Sequence, residues 1–276
     1  MKLSINIKGT LMDFNEPKIM GILNTTPDSF SDGGKFASIE SSIIQANKMF
    51  NEGADIIDVG GYSSRPGADD VSIQEEMDRV MPVIEKIKSE LDVVLSIDTF
   101  RSSVAKEAVE GGAHIVNDIS AGDDDSNMLS TVAKLGIPYI AMHKQGIPKT
   151  MQENPQYNDV VIAVFEYLQK KKQECLDAGI IDLIIDPGFG FGKTLDNNFE
   201  LLYNLRHFKL LNIPLLVGIS RKSMIYKTIK TSPESALNGT SFLHAFALKN
   251  GANILRVHDV NEAKECVKLW QQLSHR

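Results

Sequence analysis

Two cysteines, one tryptophan and no long apolar run set the first limits on this chain of 276 residues. Cys175 and Cys266 cannot staple a disulfide framework, so the fold must rest on a buried core, and two thiols point to a reducing compartment. No stretch approaches the roughly 18 uninterrupted apolar residues of a membrane span. The opening MKLSINIKGTLMDF has no apolar segment of signal-peptide length. The expectation is therefore a cytoplasmic protein with no membrane partner. Basic residues are outnumbered: 29 Lys plus Arg face 36 Asp plus Glu, a net charge of −7, and no basic run occurs. That balance argues against nucleic acid as a partner, while leaving room for a small anion in a local basic pocket. The six histidines show neither HExxH nor paired metal spacing, which argues against a protein-caged zinc.

What the chain does have is alternation. Short, β-branched apolar runs recur at 19–23, 55–59, 93–97, 114–116, 138–142, 182–185, 214–219 and 253–257. They are nearly continuous in hydrophobicity, as parallel strands buried on both faces are. Between them, 41–52, 71–91, 101–112, 160–179 and 234–250 carry apolar residues at three- and four-residue spacing, the helical signature. Gly53, Gly111, Gly136, Gly179 and Gly251 suit helix C-termini. Eight such units without a linker predict one (β/α)8 TIM barrel over 1–276. Residues 1–16, with Leu3, Ile5 and Ile7 alternating up to a Gly-containing turn, are expected to form a short N-terminal β-hairpin plugging the barrel's N-terminal end.

Polar residues close nearly every apolar run: Asn24, Asp58, Asp98, Asn117 with Asp118, His143, Asp186, Ser220 and His258. So many on one rim would cost too much desolvation to serve packing alone, and the C-terminal rim is where barrel enzymes place their chemistry. Two loops follow the first two strands. Residues 24–34 are polar and Gly-rich around a single Phe30, and 60–68 hold Arg65 before Pro66. Both have the character of mobile rim loops that touch a ligand. The stretch after Asp186, Pro187-Gly-Phe-Gly-Phe-Gly-Lys193, matches neither a P-loop nor G-x-G-x-x-G. Its alternating Gly and Phe offer flat apolar faces with close backbone access, suited to stacking a planar heterocycle. Of the adjacent cations Arg221 and Lys222, one is expected to point inward. Arg256 and His258 share one face of the last strand and form an anion site or, alternatively, a structural ion pair. Together the rim complements a planar, hydrogen-bonding heterocycle that carries phosphate.

At these residues the sequence closely resembles the dihydropteroate synthase family, from about Ile19 to Ala263. The specific blocks are MGILNTTPDSFSDGG, IIDPGFGFGKT and GISRKSM, with SIDTFR, IVNDIS and RVHDV in the same order. The resemblance implies condensation of 6-hydroxymethyl-7,8-dihydropterin diphosphate with p-aminobenzoate to 7,8-dihydropteroate and diphosphate, by a dissociative displacement at the pterin methylene carbon. It implies Asp186, Asn117, Asp98, Lys222 and Gly218 around the pterin, with Ile119, Met142 and Phe191 as walls. Asn24, Arg256 and His258 would hold the diphosphate, Asn24 also reaching a Mg²⁺ cofactor. Phe30, Ser64, Pro66 and Ser223 would receive p-aminobenzoate, with Arg65 and Asp28 ordering the closed loops and acting with Asp98 and Lys222 as the catalytic set. Sulfonamides, which mimic p-aminobenzoate, would compete there. A homodimer through outer helices of the C-terminal half is implied too. The chain departs from the family pattern at Tyr62, usually Glu; at Ser64, usually Thr; and at Lys144, usually Met. Two other readings remain open: a corrinoid-linked methyltetrahydrofolate methyltransferase, and a non-catalytic pterin-binding paralogue. Retention of Arg256, His258 and the first loop counts against the former, and Asp98 and Lys222 against the latter.

Overall fold

The computed structural model describes residues 3–25, 34–63, 71–146, 151 and 153–274. Ten strands follow one another among the described residues: β1 (Ser4–Ile7), β2 (Thr10–Asp13), β3 (Lys18–Asn24), β4 (Ile56–Gly60), β5 (Val94–Asp98), β6 (Ile115–Asp118), β7 (Tyr139–Met142), β8 (Leu183–Asp186), β9 (Leu216–Val217) and β10 (Ile254–Val257). The helices are α1 (Gly34–Asn51), α2 (Ile73–Glu90), α3 (Ser102–Gly111), α4 (Met128–Leu135), α5 (Val160–Ala178), α6 (Leu195–Tyr203), α7 (Ser223–Tyr226), α8 (Leu237–Lys249) and α9 (Val260–Ser274), with a 3-10 helix at Leu205–Leu211. Strands β3 to β10 form one parallel sheet in the order β8-β7-β6-β5-β4-β3-β10-β9. A parallel bridge from Ile185 to Leu215 brings β8 against β9 and closes the ring. This is the expected (β/α)8 barrel.

Alternation along the strands explains its two apolar layers. Ile19, Leu23, Ile57, Val59, Leu95 and Ile97 point outward into the large core shared with the helices. Their neighbours Met20, Ile56, Ile115, Ile140, Ile184, Leu216 and Ile254 face inward and form a second cluster with Ile5, Ile7 and Phe14 of the N-terminal hairpin. Strands β1 and β2 pair antiparallel, Ser4 opposite Asp13. The hairpin therefore plugs the end where the strands begin, and Asn6 N–H fixes it to Asp182 Oδ1 at 2.9 Å.

Three expectations are corrected in detail. Gly111 lies inside α3, and the positive φ of 133° belongs to Gly112. The run at 214–219 forms a strand only at Leu216–Val217, because the chain leaves the ladder at Gly218 and turns at Ser220–Arg221, where Arg221 takes a φ of 54°. Helices α4, α6, α7 and α9 escaped the periodicity. The first three are short, and α9 buries only Val260, Ala263 and Val267, a sparse stripe among polar residues.

Candidate active site

Strand register sets the rim. Asn24 pairs with Gly60, Gly60 with Asp98, and Asp98 with Asn117. Paired residues in a parallel sheet point to the same side, so Asn24, Asp98 and Asn117 line one arc of the barrel mouth. Gly60 leaves the gap between them: a Cβ there would meet the Asp98 carboxylate at 3.7 Å and the Asn24 amide oxygen at 3.8 Å. One layer below, Asp58 faces inward beside Ser96.

Arg256 reaches this arc from β10. Its Nε and Nη2 donate to Asp58 Oδ2 and Asp98 Oδ2 at 2.7 and 2.6 Å, an ion pair that fixes the guanidinium beside the mouth. Asn117 Nδ2 donates to the same Asp58 oxygen at 2.9 Å. Asp58 is fully buried, whereas the Asp98 side chain keeps 21% of its surface open to the mouth. Asp98 is thus the carboxylate a ligand can touch, and Asp58 the one that holds its neighbours. Desolvation pushes the Asp98 carboxyl up to about 7, aided by the charges of Asp58, Glu76 and Asp118 and opposed by Arg256.

The opposite wall carries Asp186 and Lys222. Asp186 Oδ1 accepts from Gly188 N–H at 2.7 Å. Burial raises the Asp186 carboxyl, with the Lys222 ammonium opposing, and lowers Lys222 to about 8. Lys222 Nζ donates to the Phe189 carbonyl and lies 4.8 Å from the centroid of the Phe191 ring. A Cβ at Gly218 would approach both Lys222 Nζ, at 3.8 Å, and Asp186 Oδ2, at 3.9 Å, so glycine keeps the floor between them open. Lys222 is the inward cation; Arg221 turns away to a bidentate pair with Asp259 at 2.6 and 2.8 Å. Only one of the two loop phenylalanines serves the mouth, because Phe189 is fully buried in the core.

His258 Nδ1 lies 3.0 Å from Ser220 Oγ, at the ends of β10 and β9. Ile119 and Met142 are buried behind the rim, and Ser223 opens α7 beside Lys222. Asp28, Phe30, Ser64, Arg65 and Pro66 lie outside the described residues. At the start of the second loop, Tyr62 packs edge-on against Phe100 with centroids 5.1 Å apart, and the Arg101 guanidinium stands 5.4 Å from its ring centroid. Arg101 also donates to Glu76 Oε2 at 2.7 Å and to the Val71 carbonyl at 2.5 Å. The departure at Tyr62 thus sits in an aromatic–cation stack beside the buried Glu76. Of the other two departures, Lys144 pairs with Asp124 at 2.5 Å, and Ser64 lies outside the described residues.

Sequence reasoning assigned no role to Asp58 or Lys193. Asp58 had a visible signal, a carboxylate inside the apolar run Ile56-Ile57-Asp58-Val59. Lys193 had none, because a lysine after a Gly-rich loop reads as solvated until the fold buries it.

Two carboxylates, an amide, an ammonium and an aromatic face around a Gly-floored mouth can bind a flat heterocycle by its edge. Among the described residues no group of three or more His, Cys, Asp or Glu could hold a metal ion. A family model described as pterin binding enzyme matches residues 20–258. The dihydropteroate synthase of Haemophilus influenzae is 46% identical over 273 residues, 98% of each chain. A Xanthomonas albilineans dihydropteroate synthase solved with 4-aminobenzoic acid superposes with a TM-score of 0.94 at 38% identity, covering 100% of both chains. A Yersinia pestis dihydropteroate synthase in complex with a sulfonamide drug gives a TM-score of 0.94 at 41% identity, over 99% of this chain and 100% of that one.

Proposed function

The chain belongs to the dihydropteroate synthases, a family of pterin-binding enzymes, and we propose that it joins 6-hydroxymethyl-7,8-dihydropterin diphosphate to p-aminobenzoate. The observation that carries this reading is the Asp186–Lys222 pair flanking Gly218 beneath Phe191, opposite Asp98 and Asn117. A pterin presents a 2-amino group and a ring N–H side by side, a donor edge for which a carboxylate is the matching acceptor. Asp186 takes that edge, Asn117 and Asp98 the remaining ring donors and acceptors, and Lys222 donates to the acceptor side. Phe191 covers the ring, with Ile119 and Met142 behind.

In the reaction the bond from the pterin methylene carbon to the diphosphate oxygen breaks, and its electron pair leaves with the diphosphate. The ionised Asp98 carboxylate stabilises the cationic pterin that remains. The neutral aniline nitrogen of p-aminobenzoate then attacks the methylene, and the resulting ammonium gives up one proton to water. Arg256, held at the mouth by Asp58 and Asp98, and His258, beside Ser220, bind the departing anion. Asn24 would hold a Mg²⁺, which would supply neutralisation of charge on the diphosphate oxygens. A single amide oxygen on the rim fits a hard cation that takes most of its ligands from phosphate and water. Phe30, Ser64, Pro66 and Ser223 receive p-aminobenzoate, and Arg65 and Asp28 order the loops around it. That assignment rests on the family motif, as does sulfonamide competition.

The protein is cytoplasmic and homodimeric in this reading. The two free thiols support the former. The latter is supported by Phe242 of α8 and by Leu269 and Leu273 of α9, exposed to 71%, 69% and 76% on neighbouring helices. Sedimentation should give twice the chain mass, and a monomer at micromolar concentration contradicts the dimer. The activity is tested by incubating the purified protein with Mg²⁺ and both substrates. Dihydropteroate and diphosphate should appear in equal amounts.

A further inference from the structure

Lys193 is the most thoroughly buried cation near the mouth, 3% exposed, yet its Nζ touches no carboxylate within hydrogen-bond distance. It donates to the carbonyls of Gly188 at 2.8 Å and Phe191 at 3.1 Å, and it meets His143 Nδ1 at 2.9 Å. An amine desolvated this fully is expensive to retain unless its donors do something that an apolar chain of equal length does not.

What they do is visible in the segment 188–192. Gly188, Gly190 and Gly192 take φ of 70°, 83° and 64°, so the backbone repeatedly enters the left-handed region. It also presses on the neighbouring loop: a Cβ on Gly188 would lie 1.8 Å from the His143 carbonyl oxygen. Three side chains take the carbonyls of this segment. Lys193 takes the carbonyls of 188 and 191, Lys222 that of 189, and the Tyr157 hydroxyl that of 192 at 2.8 Å. The segment is thus pinned from inside by Lys193 and from the mouth by Lys222. Its visible products are the position of the Phe191 ring and the carbonyl that holds Lys222.

His143 is fitted to be the third acceptor. Its ring meets Tyr167 edge-on at 4.9 Å between centroids. Desolvation and the neighbouring Lys193 push its pKa down to about 2, so the imidazole is neutral and Nδ1 can accept.

We propose that Lys193, with His143 as its acceptor, is a positioning residue of the pterin pocket that sets Phe191 and Lys222 through the carbonyls of 188–192. The inference rests on the pocket assignment made above. Lys193→Met should therefore raise KM for the dihydropterin diphosphate by about tenfold or more while leaving KM for p-aminobenzoate within about twofold. A general loss of structure would move both. His143 supplies a milder pair of variants should the methionine fail to fold. His143→Asn places an oxygen close to where Nδ1 stood and should keep the pterin KM within about threefold, whereas His143→Leu should reproduce the Lys193→Met rise.

Asp186→Asn, run alongside, separates the two ideas. A raised pterin KM there with an unchanged one in folded Lys193→Met overturns the positioning role alone, as does identical behaviour of the two His143 variants. An unchanged pterin KM in Asp186→Asn overturns the pocket assignment and the positioning role with it.

Discussion

Asp58 and Asp98 divide the labour of one cation. Both accept from Arg256, but Asp58 is sealed in the barrel while Asp98 meets the mouth. With its carboxyl near 7, Asp98 is ionised above that pH and protonated below it. Because the ionised form stabilises the cationic pterin, kcat/KM for the dihydropterin substrate should fall as pH drops through about 7. Asp58→Asn removes a like charge and leaves Arg256 to Asp98, both of which favour ionised Asp98. The acid limb should then move to lower pH by roughly one pH unit, while Asn117, no longer held by a charge, weakens substrate binding. A limb that stays in place under a pH–rate titration contradicts this coupling. At this scale the sequence was informative at several run ends: Asp98, Asn117 and Asp186 reach the mouth, as does Lys222 just beyond the seventh run. It was uninformative about which polar groups serve others, because Asp58 and Lys193 acquire their partners from residues 198 and 50 positions away in the chain.

Elements were legible to the extent that their burial was two-sided. Strands with both faces covered announce themselves as unbroken apolar runs, and five of the helices by three- and four-residue apolar spacing. Helix α9, which buries three small residues, and β9, which keeps two residues in the ladder, carry too little pattern to be read alone. The hairpin was legible from alternation over Leu3, Ile5 and Ile7, and its location makes a sharp prediction. Ile5 is 1% exposed against the inward layer at the end opposite the mouth. Ile5→Ala should reduce unfolding free energy by about 3 kcal/mol in a denaturant titration, with KM for both substrates unchanged. A shifted KM at wild-type stability would show that the hairpin reports to the site, contrary to its role as a plug.

Across the whole molecule, a net charge of −7 hides an inward-facing arrangement of Arg256, Lys222 and Lys193 balanced by Asp58, Asp98 and Asp186. Strands β4, β5, β8 and β10 carry Asp58, Asp98, Asp186 and Arg256, and the segments after β8 and β9 bring in Lys193 and Lys222. The barrel thus spends its apolar layers on stability and its C-terminal rim on recognition. The central claim is that this rim binds a pterin by its donor edge and expels diphosphate. The most direct measurement is turnover of both substrates with Mg²⁺, following dihydropteroate and diphosphate together, for the wild type and Asp186→Asn. Equal release of the two products, with kcat/KM for the pterin substrate lower by about 100-fold or more in a folded Asp186→Asn, is the predicted result. No turnover by the wild type, or an Asp186→Asn protein as active as the wild type, would contradict it.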